Sequence, residues 1–165
     1  IEDIIKVFYF VHRFVEPKSR LWLVGIDIDT ELYSFALKRL VHELDLQNAV
    51  NFSGGLADSE VRALYEHATV YLCMSEHEGF CLPVVEAMHF GLPVMAYSGS
   101  ALQETVANGG ILFSEKRHAE LAEMVGMVAR DPQLRAQLVA AGKERARSLS
   151  LDTFTAQATQ LFLGA

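Results

Sequence analysis

Residues 69–88 have the sequence TVYLCMSEHEGFCLPVVEAM, which contains the clearest indications of the fold class. It begins with the most apolar run of the chain, Thr69 to Met74, which predicts a buried parallel strand. A polar loop containing Gly79 follows, and Pro83 opens a helix because proline suits the first helical turn. Gly91 ends that helix. A strand that leads through a short loop into a helix is the repeating unit of a parallel α/β sheet.

The same alternation continues on both sides of this unit. We predict further strands at 21–25, 50–55, 93–97 and 110–113. The predicted helices cover residues 1–15, 30–45, 58–68, 83–90, 101–107, 117–130, 132–148 and 152–163. One face of the second helix is predicted to be buried, and it consists of Leu32, Phe35, Ala36, Leu40 and Leu44. The pattern predicts one α/β domain over residues 1–165, a Rossmann-like doubly wound parallel sheet with a helical C-terminal tail.

The composition limits the classes of function. A net charge of -7 argues against a nucleic-acid partner, because phosphate backbones attract basic surfaces. No segment approaches the ~18 consecutive apolar residues of a membrane span. The first residues predict an amphipathic helix rather than a signal peptide. The two cysteines, Cys73 and Cys81, form no Cys-x-x-Cys pair, so we expect a reducing, cytoplasmic location.

The loop between the predicted strand and helix, residues 75–82, is the candidate binding site. Ligands of open α/β sheets bind outside the carboxyl ends of the strands. The start of the helix at Pro83 offers unpaired N–H groups and a partial positive charge, which suit a phosphate without any lysine. Glu78 and Glu86 lie on either side of this helix start, and carboxylates accept hydrogen bonds from sugar and ribose hydroxyls. In the alternative interpretation, Glu86 complements the helix dipole and Glu78 is solvated.

These two glutamates and their flanks resemble the signature of a large family of retaining glycosyltransferases, family 4 or group 1. That family includes sucrose synthases and bacterial mannosyltransferases. The segments that carry the resemblance are EGFCLPVVEAM at 78–88, GLPV at 91–94, LVG at 23–25, VNFSG at 50–54, LYEHA at 64–68 and GGILF at 109–113. The resemblance extends over nearly the whole chain. It implies the C-terminal, nucleotide-sugar-binding domain of a GT-B enzyme, which has two Rossmann-like domains.

The resemblance implies roles in binding the sugar and the diphosphate. Glu78, the candidate catalytic residue, would accept hydrogen bonds from the hydroxyls of the donor sugar. The main chain of the following residues would line the sugar and phosphate, and these residues are Gly79, Phe80 and Cys81. The N–H groups of Leu82 and Val84 would face the diphosphate. Cys81 stands where the family often has glycine, so we expect a slightly altered sugar pocket.

The resemblance also implies how the nucleoside is bound. Glu86 would bind the ribose hydroxyls. The turn formed by Gly54, Gly55 and Leu56 would lie against the base. No metal ion and no other cofactor are expected, because the helix start supplies the phosphate site.

Two parts of the family pattern have no counterpart in the sequence. The family opens this domain with a strand followed by an arginine and a lysine that bind the diphosphate, whereas Ile1 stands where the next helix begins. The resemblance also implies an N-terminal, acceptor-binding domain, for which residues 1–165 contain no counterpart. The opening strand is central in the doubly wound order, so we expect a slot of roughly 10 Å between the strands at 21–25 and 69–74. Residues before Ile1 or a strand of another chain would fill it, and direct pairing of the two strands is the alternative.

Three functions remain open at this point. The first is transfer of a sugar from a nucleotide diphosphate sugar to an acceptor with retention of configuration, in which this chain is the donor-binding part and is inactive in isolation. The second is a module that binds a nucleotide sugar without turnover. The third is an epimerase or phosphorylase of similar design. The implied partners are the donor, the acceptor domain, the inner face of a membrane reached through that domain, and a second chain if the slot is filled in trans.

Overall fold

The computed structural model describes residues 1–25 and 31–150, together with Thr153, Thr155, Thr159 and Gln160. Most of the helix predicted at 152–163 lies outside these residues. The helices are α1 (Glu2–Phe10), α2 (Glu31–Glu43), α3 (Asp58–His67), α4 (Leu82–Phe90), α5 (Leu102–Val106), α6 (His118–Arg130) and α7 (Pro132–Ser148). The strands are β1 (Leu21–Val24), β2 (Val50–Gly54), β3 (Tyr71–Cys73), β4 (Val94–Tyr97) and β5 (Ile111–Phe113). A π-helical turn, Val11–Val15, continues α1. The predicted alternation of strands and helices is confirmed.

The described strands are all parallel and form two sheets. β1 pairs with β2, with Leu23 opposite Phe52. In the second sheet the order is β3, β4, β5, with Leu72 opposite Met95 and Met95 opposite Ile111. This order is that of a doubly wound sheet without its central strand. Direct pairing of β1 with β3, the alternative considered above, is wrong, because no ladder joins these two strands.

Helices cover the strands on two faces, because neighbouring residues of a strand point to opposite sides of the sheet. On β4, Met95 belongs to a core shared with α1, α2 and α6. Val94 and Ala96 belong to a second core shared with α4, α5 and α7. The first core also receives Val50 of β2, so it extends beneath both sheets. Helices on both faces are the defining feature of the predicted Rossmann-like architecture.

The buried face of α2 differs from the predicted one. Leu37 and Val41 are buried, whereas Leu32 and Phe35 are 82% and 65% exposed. Of the five residues predicted to be buried, Leu40 and Leu44 are partly buried and Ala36 is exposed. The sequence of α2 contains two apolar stripes at helical spacing, and only the stripe containing Leu37 and Val41 meets the core.

The two C-terminal helices are separated as the sequence predicts. The Asp131 carboxylate caps α7 by accepting hydrogen bonds from the N–H groups of Gln133 and Leu134. Pro132 occupies the first turn of this helix, where its missing N–H costs nothing. Among the described residues, no helix combines the length and the apolar character that crossing a membrane requires.

Candidate functional site

The candidate site is the loop that joins β3 to α4. Cys73 and Met74 anchor its beginning because both are buried. Val84, Ala87 and Met88 anchor its end, since all three are fully buried on one side of α4. The loop between these anchors contains Glu78, Gly79 and Phe80, the residues expected to bind a sugar. Glu78 is half-buried, whereas the other two are exposed. Anchors on both sides hold an accessible loop at the carboxyl end of β3, where open α/β sheets bind their ligands.

One residue of the connection between β4 and α5 and one residue of α5 hold the loop through its main chain. The Ser100 hydroxyl accepts a hydrogen bond from the Glu78 N–H at 2.8 Å and donates one to the Glu78 carbonyl at 2.6 Å. The Thr105 hydroxyl donates to the Phe80 carbonyl at 2.9 Å. Thr105 is 4% exposed, so its hydroxyl makes this bond away from water. Sequence reasoning missed both residues, because their partners lie 22 and 25 positions away.

Replacing Thr105 with valine is expected to destabilise the protein by ~1–3 kcal/mol. Valine keeps the shape of threonine but leaves the Phe80 carbonyl without its donor. Urea denaturation followed by circular dichroism measures the free energy of unfolding. The matched control is Thr69→Val at an exposed threonine, for which we expect a change within ~0.5 kcal/mol. Equal stability of the two variants would show that the Thr105 bond does not hold the loop.

Helix α4 begins at a residue in an unusual conformation. Cys81 precedes the helix with φ 57° and ψ 66°, the left-handed region that favours glycine. The Val84 N–H, expected to face a phosphate, donates instead to the Cys81 carbonyl at 3.0 Å. Pro83 has no N–H. Leu82 is exposed and is the first residue of the helix, so its N–H lies at the positive end of the helix dipole.

The half-buried Glu86 is oriented by a tyrosine that the sequence analysis did not assign to the site. The Tyr65 hydroxyl of α3 donates a hydrogen bond to the Glu86 carboxylate at 3.1 Å. Burial and the nearby Glu86 charge raise the pKa of Tyr65, so the phenol stays protonated and remains a donor. The Tyr65 ring stacks on Phe90 with 5.6 Å between the ring centroids. Tyr65 lies in the LYEHA segment, which is the only sequence signal that could have identified it.

The turn expected to contact a base lies directly before α3. Gly54 ends β2 with φ 61°, Gly55 is exposed, and Leu56 is half-buried. Helix α3 begins at Asp58 and carries Tyr65, the partner of Glu86. Helix α3 therefore links the two parts of the site, because the turn precedes the helix and Tyr65 near its carboxyl end contacts Glu86. The turn and Glu86 nevertheless follow strands of different sheets.

Two thiols and the Glu78 carboxylate lie close together at the β3–α4 loop. One ligand atom from each of Cys73, Glu78 and Cys81 lies within 4.8 Å of the other two. The cysteines are not joined by a disulfide. A hydrogen bond from the Cys81 thiol lowers the pKa of Cys73 and raises that of Cys81. The sequence analysis did not foresee this group, because Cys73 belongs to a strand and Cys81 to a helix start.

Lys116, in the segment after β5, contacts both the beginning of the loop and helix α1. Its ammonium contacts the Glu76 carboxylate at 2.7 Å and the Asp3 carboxylate of α1 at 3.1 Å. His118 contacts the same Asp3 at 2.9 Å. Burial opposes ionisation of Asp3, but hydrogen bonds from His118 and Lys116 outweigh it and lower the pKa of Asp3. These polar contacts connect the loop to the amino-terminal helix and to the segment after β5.

Comparison with known proteins identifies the family. Residues 1–145 match the family model described as Glycosyl transferases group 1. An MMP alpha-(1->4)-mannosyltransferase from Mycolicibacterium hassiacum is 37% identical over 93 residues, which are 56% of this chain and 23% of that protein. The chain spans about a third or less of the length of the curated relatives that it matches.

Solved structures show the same architecture. HepE from Anabaena, solved in complex with UDP and glucose, is 25% identical with a TM-score of 0.82, over 98% of this chain and 44% of that one. The C-terminal domain of a group 1 glycosyl transferase, LpcC from Francisella tularensis, is 24% identical with a TM-score of 0.76, over 89% of this chain and 77% of that one. The likeness to LpcC concerns the fold alone. The family expected from the sequence is confirmed: the chain belongs to the group 1 glycosyl transferases and has the Rossmann-like fold of the C-terminal domain of a GT-B enzyme.

Proposed function

We propose that this chain is the donor-binding part of a retaining glycosyltransferase and that it binds a nucleotide diphosphate sugar at the β3–α4 loop. One observation carries the proposal. Two carboxylates flank a single helix start at the carboxyl end of a parallel strand, Glu78 in the loop and Glu86 inside α4. Glu86 is already oriented by Tyr65, and the Glu78 main chain is already fixed by Ser100. Preorganised groups of this kind bind without the entropic cost of ordering them.

Each part of the donor has a complementary group in this arrangement. The sugar hydroxyls donate to Glu78, the diphosphate faces the Leu82 N–H at the start of α4, and the ribose hydroxyls donate to Glu86. The turn at 54–56 lies against the base. Val84 supplies its N–H to phosphate only if the bond to the Cys81 carbonyl opens. In the transfer step, the helix start stabilises the charge on the departing diphosphate, which is electrostatic catalysis without a metal ion.

The acceptor site belongs to the remainder of the enzyme. The relatives that the chain matches are much longer than the chain itself. In the proposed enzyme, a further strand fills the slot between β1 and β3, and an acceptor domain completes the active site. We expect this chain in isolation to bind a donor without transferring its sugar. The enzyme acts in the cytoplasm, and contact with the inner face of the membrane is made by the acceptor domain.

A calorimetric screen tests the proposed function. UDP, GDP and ADP sugars are titrated into the protein, first with EDTA and then with Mg²⁺ or Mn²⁺. We expect one nucleotide class to bind with the same affinity under both conditions. Affinity that disappears with EDTA and returns with the added ion would contradict the metal-free phosphate site. A relative from Xanthomonas oryzae, 35% identical over 82 residues, is a GDP-mannose:cellobiosyl-diphosphopolyprenol alpha-mannosyltransferase, and HepE was also solved with UDP-glucose. GDP-mannose and UDP-glucose are therefore the first ligands to try.

Replacing Tyr65 with phenylalanine is expected to weaken nucleotide binding about 2- to 10-fold, the equivalent of one lost hydrogen bond of ~0.5–1.5 kcal/mol. The variant keeps the ring that stacks on Phe90 and removes only the donor to Glu86. Calorimetry with the nucleoside diphosphate found in the screen measures the loss. Tyr33→Phe, at an exposed tyrosine of α2, is the control. Unchanged affinity in Tyr65→Phe would show that Glu86 needs no orienting partner.

A further inference from the structure

We propose that Cys73, Glu78 and Cys81 form a binding site for a thiolate-preferring divalent cation, foremost Zn²⁺, and that the bound ion withdraws Glu78 from the donor sugar. The second half of this proposal rests on the proposed function, in which Glu78 accepts hydrogen bonds from the sugar. The first half rests only on the three side chains. The ion is an inhibitor in this scheme, and catalysis itself remains independent of metal.

The spacing of the ligand atoms suits a tetrahedral ion. Zinc–sulfur and zinc–oxygen bonds of about 2.3 and 2.1 Å place two sulfur ligands about 3.8 Å apart and a sulfur and an oxygen about 3.6 Å apart. The three ligand atoms here lie within 4.8 Å of one another without an ion. Side-chain rotations that move the ligand atoms by about 1 Å therefore bring them to the distances that zinc requires. Glu78 and Cys81 are only partly buried and Gly79 is exposed, so a water molecule can reach the ion as the fourth ligand.

The chemistry of the ligands selects the kind of ion. Two thiolates and one carboxylate favour Zn²⁺ and similar soft or borderline ions over Mg²⁺ and Ca²⁺, which prefer oxygen ligands. Binding replaces two sulfur–hydrogen bonds with two sulfur–metal bonds, and both protons pass to solvent. The Glu78 carboxylate is available for the ion, because within the described part of the chain it accepts no hydrogen bond and forms no ion pair.

The backbone holds the three ligands in place before any ion arrives. Cys73 is buried at the end of β3, and Cys81 is fixed at the start of α4 in the left-handed conformation. The Glu78 main chain is held on both sides of its peptide by Ser100. A buried cysteine alone is an ordinary core residue. Here a second thiol and a carboxylate lie beside the first thiol, with one ligand atom of each within 4.8 Å of the other two, and this grouping of three ligands is what indicates a metal site.

Cobalt titration tests the site, because Co²⁺ is the spectroscopic substitute for zinc in tetrahedral thiolate sites. The chain has only two cysteines, so any thiolate-to-cobalt absorption in the near ultraviolet reports this site. With a phosphine reductant present, we expect one equivalent of Co²⁺ to produce that absorption and one equivalent of Zn²⁺ to abolish it. Absence of the absorption at stoichiometric Co²⁺ overturns the proposal.

Variants assign the absorption to the three side chains. We expect it to disappear in Cys73→Ser and Cys81→Ser and the cobalt affinity to fall at least tenfold in Glu78→Gln. The control is His77→Ala, which removes the exposed imidazole next to Glu78 and should leave the titration unchanged. Circular dichroism confirms that each variant is folded, and Cys81→Ala serves if the buried Cys73→Ser does not fold. Absorption that survives the loss of Cys81 overturns the assignment.

Competition between Zn²⁺ and the donor tests the second half of the proposal, that the bound ion withdraws Glu78 from the sugar. One equivalent of Zn²⁺ is expected to weaken binding of the nucleotide sugar at least tenfold and to leave binding of the free nucleoside diphosphate unchanged. If cobalt binds as predicted and Zn²⁺ does not affect the sugar, the metal site stands and Glu78 does not contact the donor. If the donor binds but cobalt does not, the proposed function stands and the metal site is refuted.

Discussion

Replacing Glu86 with alanine is expected to weaken nucleoside diphosphate binding about 10- to 150-fold. A hydrogen bond to an ionised acceptor contributes ~1.5–3 kcal/mol, and this range corresponds to the stated loss. Glu86 is half-buried in α4 and receives one bond from Tyr65, which leaves acceptor capacity for the ribose hydroxyls. Its removal takes away both the acceptor for the ribose hydroxyls and the hydrogen-bond partner of the half-buried Tyr65 phenol. Calorimetry with the nucleotide selected by the screen measures the effect.

The control for this experiment is Glu144→Ala, which removes an exposed carboxylate from α7. It changes the net charge by the same amount as the Glu86 variant, so a general electrostatic effect on an anionic ligand would appear in both. We expect Glu144→Ala to bind the nucleotide like the unmodified protein. Similar affinities of the Glu86 and Glu144 variants would mean that Glu86 only complements the helix dipole, the alternative that the sequence left open.

Replacing Glu78 with glutamine is expected to lower the affinity for the nucleotide sugar but not the affinity for the free nucleotide. Affinity for the sugar-bearing donor should fall about tenfold or more, because a neutral amide replaces an ionised acceptor. Affinity for the free nucleoside diphosphate should not change. The loop should keep its position, since Ser100 holds the Glu78 main chain rather than its side chain. Titrations with the two ligands under identical conditions give the comparison.

The neighbouring Glu76→Gln variant is the control for Glu78→Gln. Glu76 is an exposed carboxylate of the same loop that pairs with Lys116, and the side-chain oxygen of glutamine can still accept a hydrogen bond from the Lys116 ammonium. The Glu76→Gln substitution changes the charge of the loop by the same amount as Glu78→Gln. Because Glu76 lies outside the proposed sugar contact, both ligands should bind to this variant as before. If Glu78→Gln weakens both ligands to the same extent, the division of roles between the two glutamates is wrong.

The sequence predicted the order of the elements because strong local signals separate them. Pro83 and Gly91 define α4, and Asp131 with Pro132 defines the start of α7. These residues act on the backbone within one turn, so their effect does not depend on the rest of the fold. The sequence also indicated that β1 and β3 would not pair with each other, because the doubly wound arrangement places another strand between them.

Other features depend on contacts between distant residues, which periodicity does not reveal. The sequence of α2 offers two apolar stripes, and only packing against the core selects the stripe with Leu37 and Val41. The bond from Thr105 to Phe80 and the contact between Cys73 and Cys81 join different elements. The Val84 N–H was expected to be free, but the left-handed Cys81 turns its own carbonyl toward it.

A chemical-shift titration shows where on the chain the donor binds. A ¹⁵N-labelled sample of the protein is titrated with the nucleotide sugar found by calorimetry. We expect the largest amide shifts at Glu78, Gly79, Phe80 and Leu82, and a second group of shifts at Gly54 to Leu56. If the largest shifts occur elsewhere, for example around Leu112 and Ser114 at the end of β5, and the amides of the β3–α4 loop do not move, the donor does not bind at this loop.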